Sequence, residues 1–411
     1  MRILHIISQK PDFTGSGKYV QEMIQQSRAR GHEPFLVAGV SADFEVPPAL
    51  IAPERVKLVR FDGHDIDFPV MGMSDVMPYP STVCSSLSRL QLVEYRVAFG
   101  RIVGAAVAEF APDVMHSNHL WLASAVARDV APDLPLVTTC HGSCLRQHRL
   151  CPDLGRSLLE PLRRIDRVIA LFRRQKEDIV ELLGIDPDRV HVISGGYNAQ
   201  CFFAEGRNPA SGPVQLLYAG KLDSSKGVPW LLRSLKRIEA PWHLHLAGSG
   251  SGPERDLCLR LAAEHGERVT VHGAVSHSVL GGLMRQSDIF VLPSFFEGLP
   301  LVLLEAMACG CRIVTTDLPG ARELFGPSPP SMVRMVELTR LESVDRPFPA
   351  DEPLLERRLA DALRAGMADA AGGVEPDREF VREITEPFGW PGIFARIEGV
   401  YDAARKARAG C

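Results

Sequence analysis

An α/β protein built from two doubly wound parallel sheets is the fold class this sequence predicts, and three observations lead to it. Short β-rich apolar runs alternate with amphipathic helical stretches along the chain, the pattern of parallel sheets covered on both faces. The alternation breaks at AEGRNPASGP, residues 204–213, a polar stretch rich in Pro and Gly, and then restarts. At 411 residues the chain also exceeds what one core ordinarily needs, and two domains of about 200 residues each are the natural division.

In the first domain, expected over 1–203, the strand-like runs are ILHIIS (3–8), PFLVAGV (34–40), VKLVRF (56–61), DVMHS (113–117), PLVTTC (135–140), RVIAL (167–171) and VHVIS (190–194). In the second, over 204–390, they are VQLLYAG (214–220), WHLHLAG (242–248), VTVHG (269–273), DIFVLPS (288–294) and RIVTT (312–316). Ligands of such sheets bind beyond the carboxyl ends of the strands, so chemistry is expected in the loops that follow them.

Composition removes several classes of function. A net charge of −4 supplies no general attraction to nucleic acid or to an anionic membrane, and no nucleic-acid partner is expected. MRILHIIS runs straight into a loop without the small-residue cleavage site of a signal peptide. No stretch reaches the roughly 20 uncharged apolar residues of a membrane-spanning helix. Nine cysteines, an odd number in a long chain, suit reduced thiols better than a disulfide framework. The expectation is a cytoplasmic protein, with peripheral contact at the inner face of a membrane left open.

Three loops have anion-binding character. After the first strand, QKPDFTGSGKYVQEM places Gly15, Ser16 and Gly17 at the start of a helix whose free N–H groups could hold an anion. This is neither a Walker A loop nor a GxGxxG fingerprint; taken alone the signal is weak, and a turn needing positive φ is the more common reason for such glycines. KLDSSKG puts Lys221 and Lys226 on one loop before a helix, either as a diphosphate clasp or as a solvated basic turn. GSGSGPE (248–254) opens a further helix after a strand.

The most informative stretch is FFEGLPLVLLEAMACGCRIVTTDLPGARELF, residues 295–325. Glu297 stands at its mouth, and Glu305 lies inside a helix-forming run flanked by Leu301–Leu304 and Ala306–Ala308. A carboxylate left unpaired in such a place costs several kcal/mol, roughly, so it must be neutralised, paired or given donors.

Together these pieces resemble the retaining nucleotide-sugar glycosyltransferases of family 4, which have the GT-B fold. The residues that carry the resemblance are the E-x7-E pair Glu297 and Glu305, TGSGKYV, RGHEP (30–34), His141-Gly142, YAGKLDSSKG (218–227), HLAGSGSGPE (245–254) and DIFVLPSFFEG (288–298). The resemblance implies two facing Rossmann-like domains with the active site in the cleft, the first for the acceptor and the second for the nucleotide sugar. It also implies a last helix, about 391–411, packing back on the first. By position, Glu305 would accept hydrogen bonds from the donor ribose, and Glu297 would bind the transferred sugar beside the N–H groups of Gly298 and Leu299. Lys221 and Lys226 would neutralise the diphosphate, helped by a helix beginning near Pro300. Gly15–Gly17 would close the pocket, and His141 would reach the sugar. The implied reaction is sugar transfer from a nucleoside diphosphate, expected to be UDP, with retained configuration, no covalent nucleophile and neither metal nor other cofactor.

Two departures from the family pattern stand out: Lys221 occupies a position that is usually Arg, and SGGYN (194–198) replaces a PNGVD-like turn. An epimerase or hydrolase of the same fold, and an inactive nucleotide-sugar-binding scaffold, remain as alternatives. The acceptor is unidentified, with an anionic or lipid-linked one suggested by nine Lys or Arg against three acids over 146–176. An ordinary solvated helix face explains that excess as well. Asp65 and Asp67 mimic a metal-binding DxD but sit in an irregular loop, and metal binding is not expected there. Cys140, Cys144 and Cys151, with His141 and His148, fit no standard zinc or cluster spacing, and buried thiols are expected.

Overall fold

The computed structural model describes residues 1–409 apart from Phe13, Asp75, Val76, Pro78, residues 208–211 and Val344. The chain divides into two compact units, Met1–Gly195 with Trp390–Cys411, and Gly196–Gly389. The division therefore falls at Gly195/Gly196, before the polar stretch 204–213, part of which lies outside the described residues.

The first unit holds a parallel sheet of β1 Arg2–Ile7, β2 Glu33–Val40, β3 Val56–Arg60, β4 Val114–Asn118, β5 Leu136–Cys140, β6 Arg167–Ala170 and β7 Val190–Val192. Its order is β3-β2-β1-β4-β5-β6-β7, so the winding reverses between β1 and β4, where Ile7 pairs with Asn118. Ile3, Leu4, Ile6 and Ile7 are fully buried because helices cover both faces, which is why β1 reads as an unbroken apolar run. The loops after β1 and β4 meet at the reversal, the position where such sheets bind ligands.

The helix Gly15–Ala29 starts with Thr14 as N-cap, its hydroxyl accepting from Gly17 N at 3.1 Å. Neither Gly15 nor Gly17 has positive φ, so turn strain does not explain these glycines. Gly17 is needed for another reason: a Cβ there would sit 2.5 Å from Asp12 N and 2.6 Å from Asp12 O. A Cβ on Gly15 would meet nothing within 4 Å. Gly17→Ala should therefore cost about 1–3 kcal/mol of stability, read as a lower Tm, whereas Gly15→Ala should melt within about 0.5 kcal/mol of wild type. Equal melting of the two variants would refute the close-approach argument.

The last helix, Trp390–Ala409, belongs to the first unit and buries Trp390, Ile393, Phe394, Ile397, Val400, Tyr401 and Ala404 along one stripe. Tyr401 Oη lies 2.7 Å from His116 Nδ1, and Glu398 meets His32 at 2.6 Å. Arg408 Nε donates to Asp166 at 2.6 Å. The same Asp166 accepts from the buried Arg128 at 2.9 Å and from Leu136 N at 2.8 Å, so this buried carboxylate is fully compensated.

The second unit holds β8 Val214–Ala219, β9 Trp242–Ala247, β10 Val269–Gly273, β11 Ile289–Leu292, β12 Arg312–Thr316 and β13 Val333–Val336. The order β10-β9-β8-β11-β12-β13 again reverses once, between β8 and β11. β13 was not foreseen from the sequence, because its half-buried Arg334 breaks the apolar run. The loops after β8, β9 and β11 touch backbone to backbone through glycines. A Cβ on Gly227 (φ +72°) would lie 1.9 Å from Pro293 O, and one on Gly248 (φ +147°) would lie 1.8 Å from Gly220 O.

Candidate active site

In the second unit the loops at the sheet reversal bring Lys226 and Glu297 into direct contact. Glu297 Oε1 accepts from Lys226 Nζ at 2.8 Å and from Ser294 Oγ at 2.7 Å. Asp223 Oδ1 accepts from Lys226 N at 2.9 Å and Ser225 Oγ at 2.8 Å, while Phe295 N donates to Ser225 O at 2.9 Å, locking the two loops together. Lys221 shares the first loop and is exposed. Its carbonyl is held by Tyr218 Oη at 2.5 Å.

Gly298 and Leu299 follow Glu297 and lead to the helix Leu301–Ala308, whose N-cap is Pro300, one residue earlier than the helical position foreseen for it. Among the described residues the N–H groups of Gly298 and Leu299 donate to nothing, which leaves them free for an anion. Gly320 packs so tightly here that a Cβ on it would sit 1.8 Å from Gly298 O.

Glu305 lies on that helix between the buried Leu304 and Ala306. Among the described residues nothing hydrogen-bonds its carboxyl group, and burial alone pushes its pKa up to about 7. The side chain that the sequence said must find a partner has none among the described residues. A ligand with hydroxyl donors would supply it.

In the first unit, His141 caps the helix Gly142–Leu150 directly after β5 and is 8% exposed. Its Nε2 lies 3.0 Å from Asn118 Oδ1, and its ring meets Tyr19 edge-on with centroids 5.1 Å apart. Burial drops its pKa to about 3, so the ring is neutral at physiological pH. His119 connects it to the glycine loop: its ring centroid is 4.9 Å from that of His141, and its Nε2 lies 3.0 Å from Ser16 Oγ. Ser16 also accepts from Gln9 Nε2 at 2.8 Å. His119 holds φ +74°, a conformation rare outside glycine. Asn118, His119 and Gln9 were missed in the sequence. Asn118 ends β4 and His119 follows it directly, and only the strand order shows that the loop they open faces the one after β1.

The other sequence candidates have structural roles. Asp65 caps Arg60 N at 2.9 Å and pairs with Arg101. Cys140 and Cys144 are fully buried, and Cys144 Sγ accepts from Leu120 N at 3.2 Å. Among the described residues no group of three or more His, Cys, Asp or Glu is placed to hold a metal ion. Part of the charge over 146–176 is paired. Arg164 meets Asp129 and Glu160, Arg174 meets Glu177 and Asp178, Arg156 meets Asp153, and Arg163 and Arg167 bond backbone carbonyls. Asp129, Glu177 and Asp178 come from outside the stretch and meet part of its excess, while Arg146, Arg149 and Arg173 are exposed.

The family model "Glycosyl transferases group 1" matches residues 213–333, and "Glycosyl transferase 4-like domain" matches residues 14–196. The chain belongs to the group 1 glycosyltransferases. Among similar proteins, glycogen synthase of Mycobacterium tuberculosis is 26% identical over 99% of this chain and 95% of its own length. D-inositol 3-phosphate glycosyltransferase of Xylanimonas cellulosilytica is 29% identical over 72% of this chain and 73% of its own. Sucrose-phosphate synthase of Thermosynechococcus elongatus superposes with a TM-score of 0.70 at 20% identity, covering 100% of both chains. Anabaena HepE, solved in complex with UDP and glucose, gives 0.64 at 18% identity over 98% of this chain and 100% of its own.

The fold is thus GT-B, with one Rossmann-like sheet in each unit, and the protein is an enzyme that transfers a glycosyl group. The group 1 match takes in Lys221, Lys226, Glu297 and Glu305, and the 4-like match takes in Gly15–Gly17 and His141. Among the described residues no helix is long and apolar enough to cross a membrane.

Proposed function

We propose that this glycosyltransferase takes its sugar from a nucleoside diphosphate, with UDP-glucose the first donor to test, retains the anomeric configuration and needs no metal. The observation that carries the donor reading is Glu305, a half-buried acid that nothing among the described residues hydrogen-bonds, on the helix that follows the loop of Glu297, Gly298 and Leu299. Ribose hydroxyls supply donors to the acid, and the diphosphate supplies charge to the lysines. The UDP and glucose bound by HepE support the same choice of donor.

On this reading the bond from the anomeric carbon to the diphosphate oxygen breaks as the acceptor oxygen bonds the same carbon from the same face. The acceptor proton passes to the departing phosphate. Lys226, Lys221 and the N–H groups of Gly298 and Leu299 stabilise the charge that builds on the leaving group. Glu297, oriented by Lys226 and Ser294, binds sugar hydroxyls and is not a nucleophile. The acceptor is a hydroxyl compound. Polysaccharide ends, polyol phosphates and lipid-linked alcohols form the panel that discriminates.

Release of UDP from UDP-glucose, followed with and without that panel, tests the assignment. Turnover that depends on acceptor and gives an α-linked product supports it, whereas acceptor-independent release or isomerisation means a hydrolase or epimerase. Because lysines and N–H groups do the work a divalent ion does elsewhere, excess EDTA should leave the rate within about twofold of the untreated enzyme. Loss with EDTA and recovery with Mg²⁺ or Mn²⁺ would overturn the metal-free mechanism.

A further inference from the structure

We propose that Asn118 is a positioning residue that holds His141 as its Nε2–H tautomer, so that His141 offers a bare Nδ1 lone pair to a hydroxyl-bearing ligand. The assignment follows from which atoms can donate. Asn118 is fully buried at the carboxyl end of β4, and its Nδ2 donates to the carbonyl of Ile6 at 3.4 Å. A carbonyl only accepts, so the amide nitrogen is committed to that side and Oδ1 is turned toward His141. Oδ1 also only accepts, so the His141 Nε2 that lies 3.0 Å away must carry the hydrogen.

A neutral imidazole has one N–H, and its other nitrogen is then an acceptor. Burial keeps His141 neutral, and it likewise keeps the neighbouring Tyr19, His116 and His119 uncharged, so no nearby ion competes for the ring. Among the described residues Nδ1 has no hydrogen-bond partner. It is also not among the sealed, unpartnered atoms, which include His5 Nδ1 and His148 Nε2. The open nitrogen therefore takes a donor. A phosphate diester oxygen, which can only accept, is the wrong partner, and a sugar hydroxyl is the right one. The identity of that hydroxyl rests on the proposed function, whereas the tautomer does not.

Two measurements separate these levels. In protein labelled with ¹⁵N-histidine, long-range ¹H–¹⁵N correlation, with the signal assigned through His141→Gln, should show Nε2–H and unprotonated Nδ1. Asn118→Leu should lose that preference and lower kcat at least about tenfold, the cost of one misdirected hydrogen bond, with a smaller change in KM for UDP-glucose. Asn118→Asp keeps an acceptor at the same place. It should restore the tautomer, recover part of kcat and add an inflection to the pH profile as the carboxylate raises the His141 pKa. An Nδ1–H signal in the wild type, or unchanged tautomer and kcat in a folded Asn118→Leu, would overturn the proposal. If the wild type turns over no nucleotide sugar, the functional reading fails while the spectrum still decides the role of Asn118.

Discussion

Lys226→Ala should lower kcat for sugar transfer by about 10²–10³-fold, the usual cost of removing one preorganised donor from a developing negative charge. Lys226 stands at the junction of two tasks. On the proposed function its ammonium meets the leaving diphosphate, and it also holds Glu297 Oε1 at 2.8 Å, which without it keeps, among the described residues, Ser294. Both side chains are partly open, at 25% and 18% exposure, so the pair contributes at most about 1 kcal/mol to stability and the variant should stay folded. Because the two residues act as a unit, Lys226→Ala combined with Glu297→Ala should lose less than the product of the single effects. Single-turnover rates for the four proteins complete that cycle. A kcat within about threefold of wild type for Lys226→Ala would remove this residue from the mechanism.

Donor binding should strengthen as pH rises through 7, and Glu305 is the cause. Burial has raised this acid from its ordinary range to about 7, so between those values the folded protein holds a proton that the unfolded chain has lost. Unliganded stability should accordingly fall as pH climbs through that window. Ribose hydroxyls bond best to the ionised form, so binding must expel the proton, and affinity for UDP-glucose should be about tenfold weaker at pH 6 than at pH 8. Glu305→Gln should flatten both trends, and Glu305→Ala should weaken binding by about 10–100-fold through loss of a charged acceptor. Calorimetry in two buffers of different ionisation heat reads the released proton directly. A pH-independent affinity in the wild type would mean that Glu305 does not meet the donor.

Much of this protein was legible in its sequence because parallel strands covered on both faces must be apolar throughout. β1, β2, β8 and β11 could therefore be read as runs, and the loops after them as places for chemistry. Glu305 was legible for the converse reason: an acid in an apolar helix is conspicuous, and its need for a partner follows from desolvation alone. What the sequence could not supply was adjacency between loops far apart in the chain. Lys226 and Glu297 were separate suggestions until the strand order placed β8 beside β11 and closed the 2.8 Å contact. Asn118 and His119 gave no signal, because a short polar stretch at the end of a strand looks the same whether it lies at an edge or at the reversal of the winding. The arginines over 146–176 read as an excess along the chain, and only the folded chain shows that Asp129 lies against Arg164. Burial and hydrophobic pattern act locally and are written residue by residue, whereas pairing and hydrogen-bond direction depend on which strand lies beside which, and only the folded chain decides that.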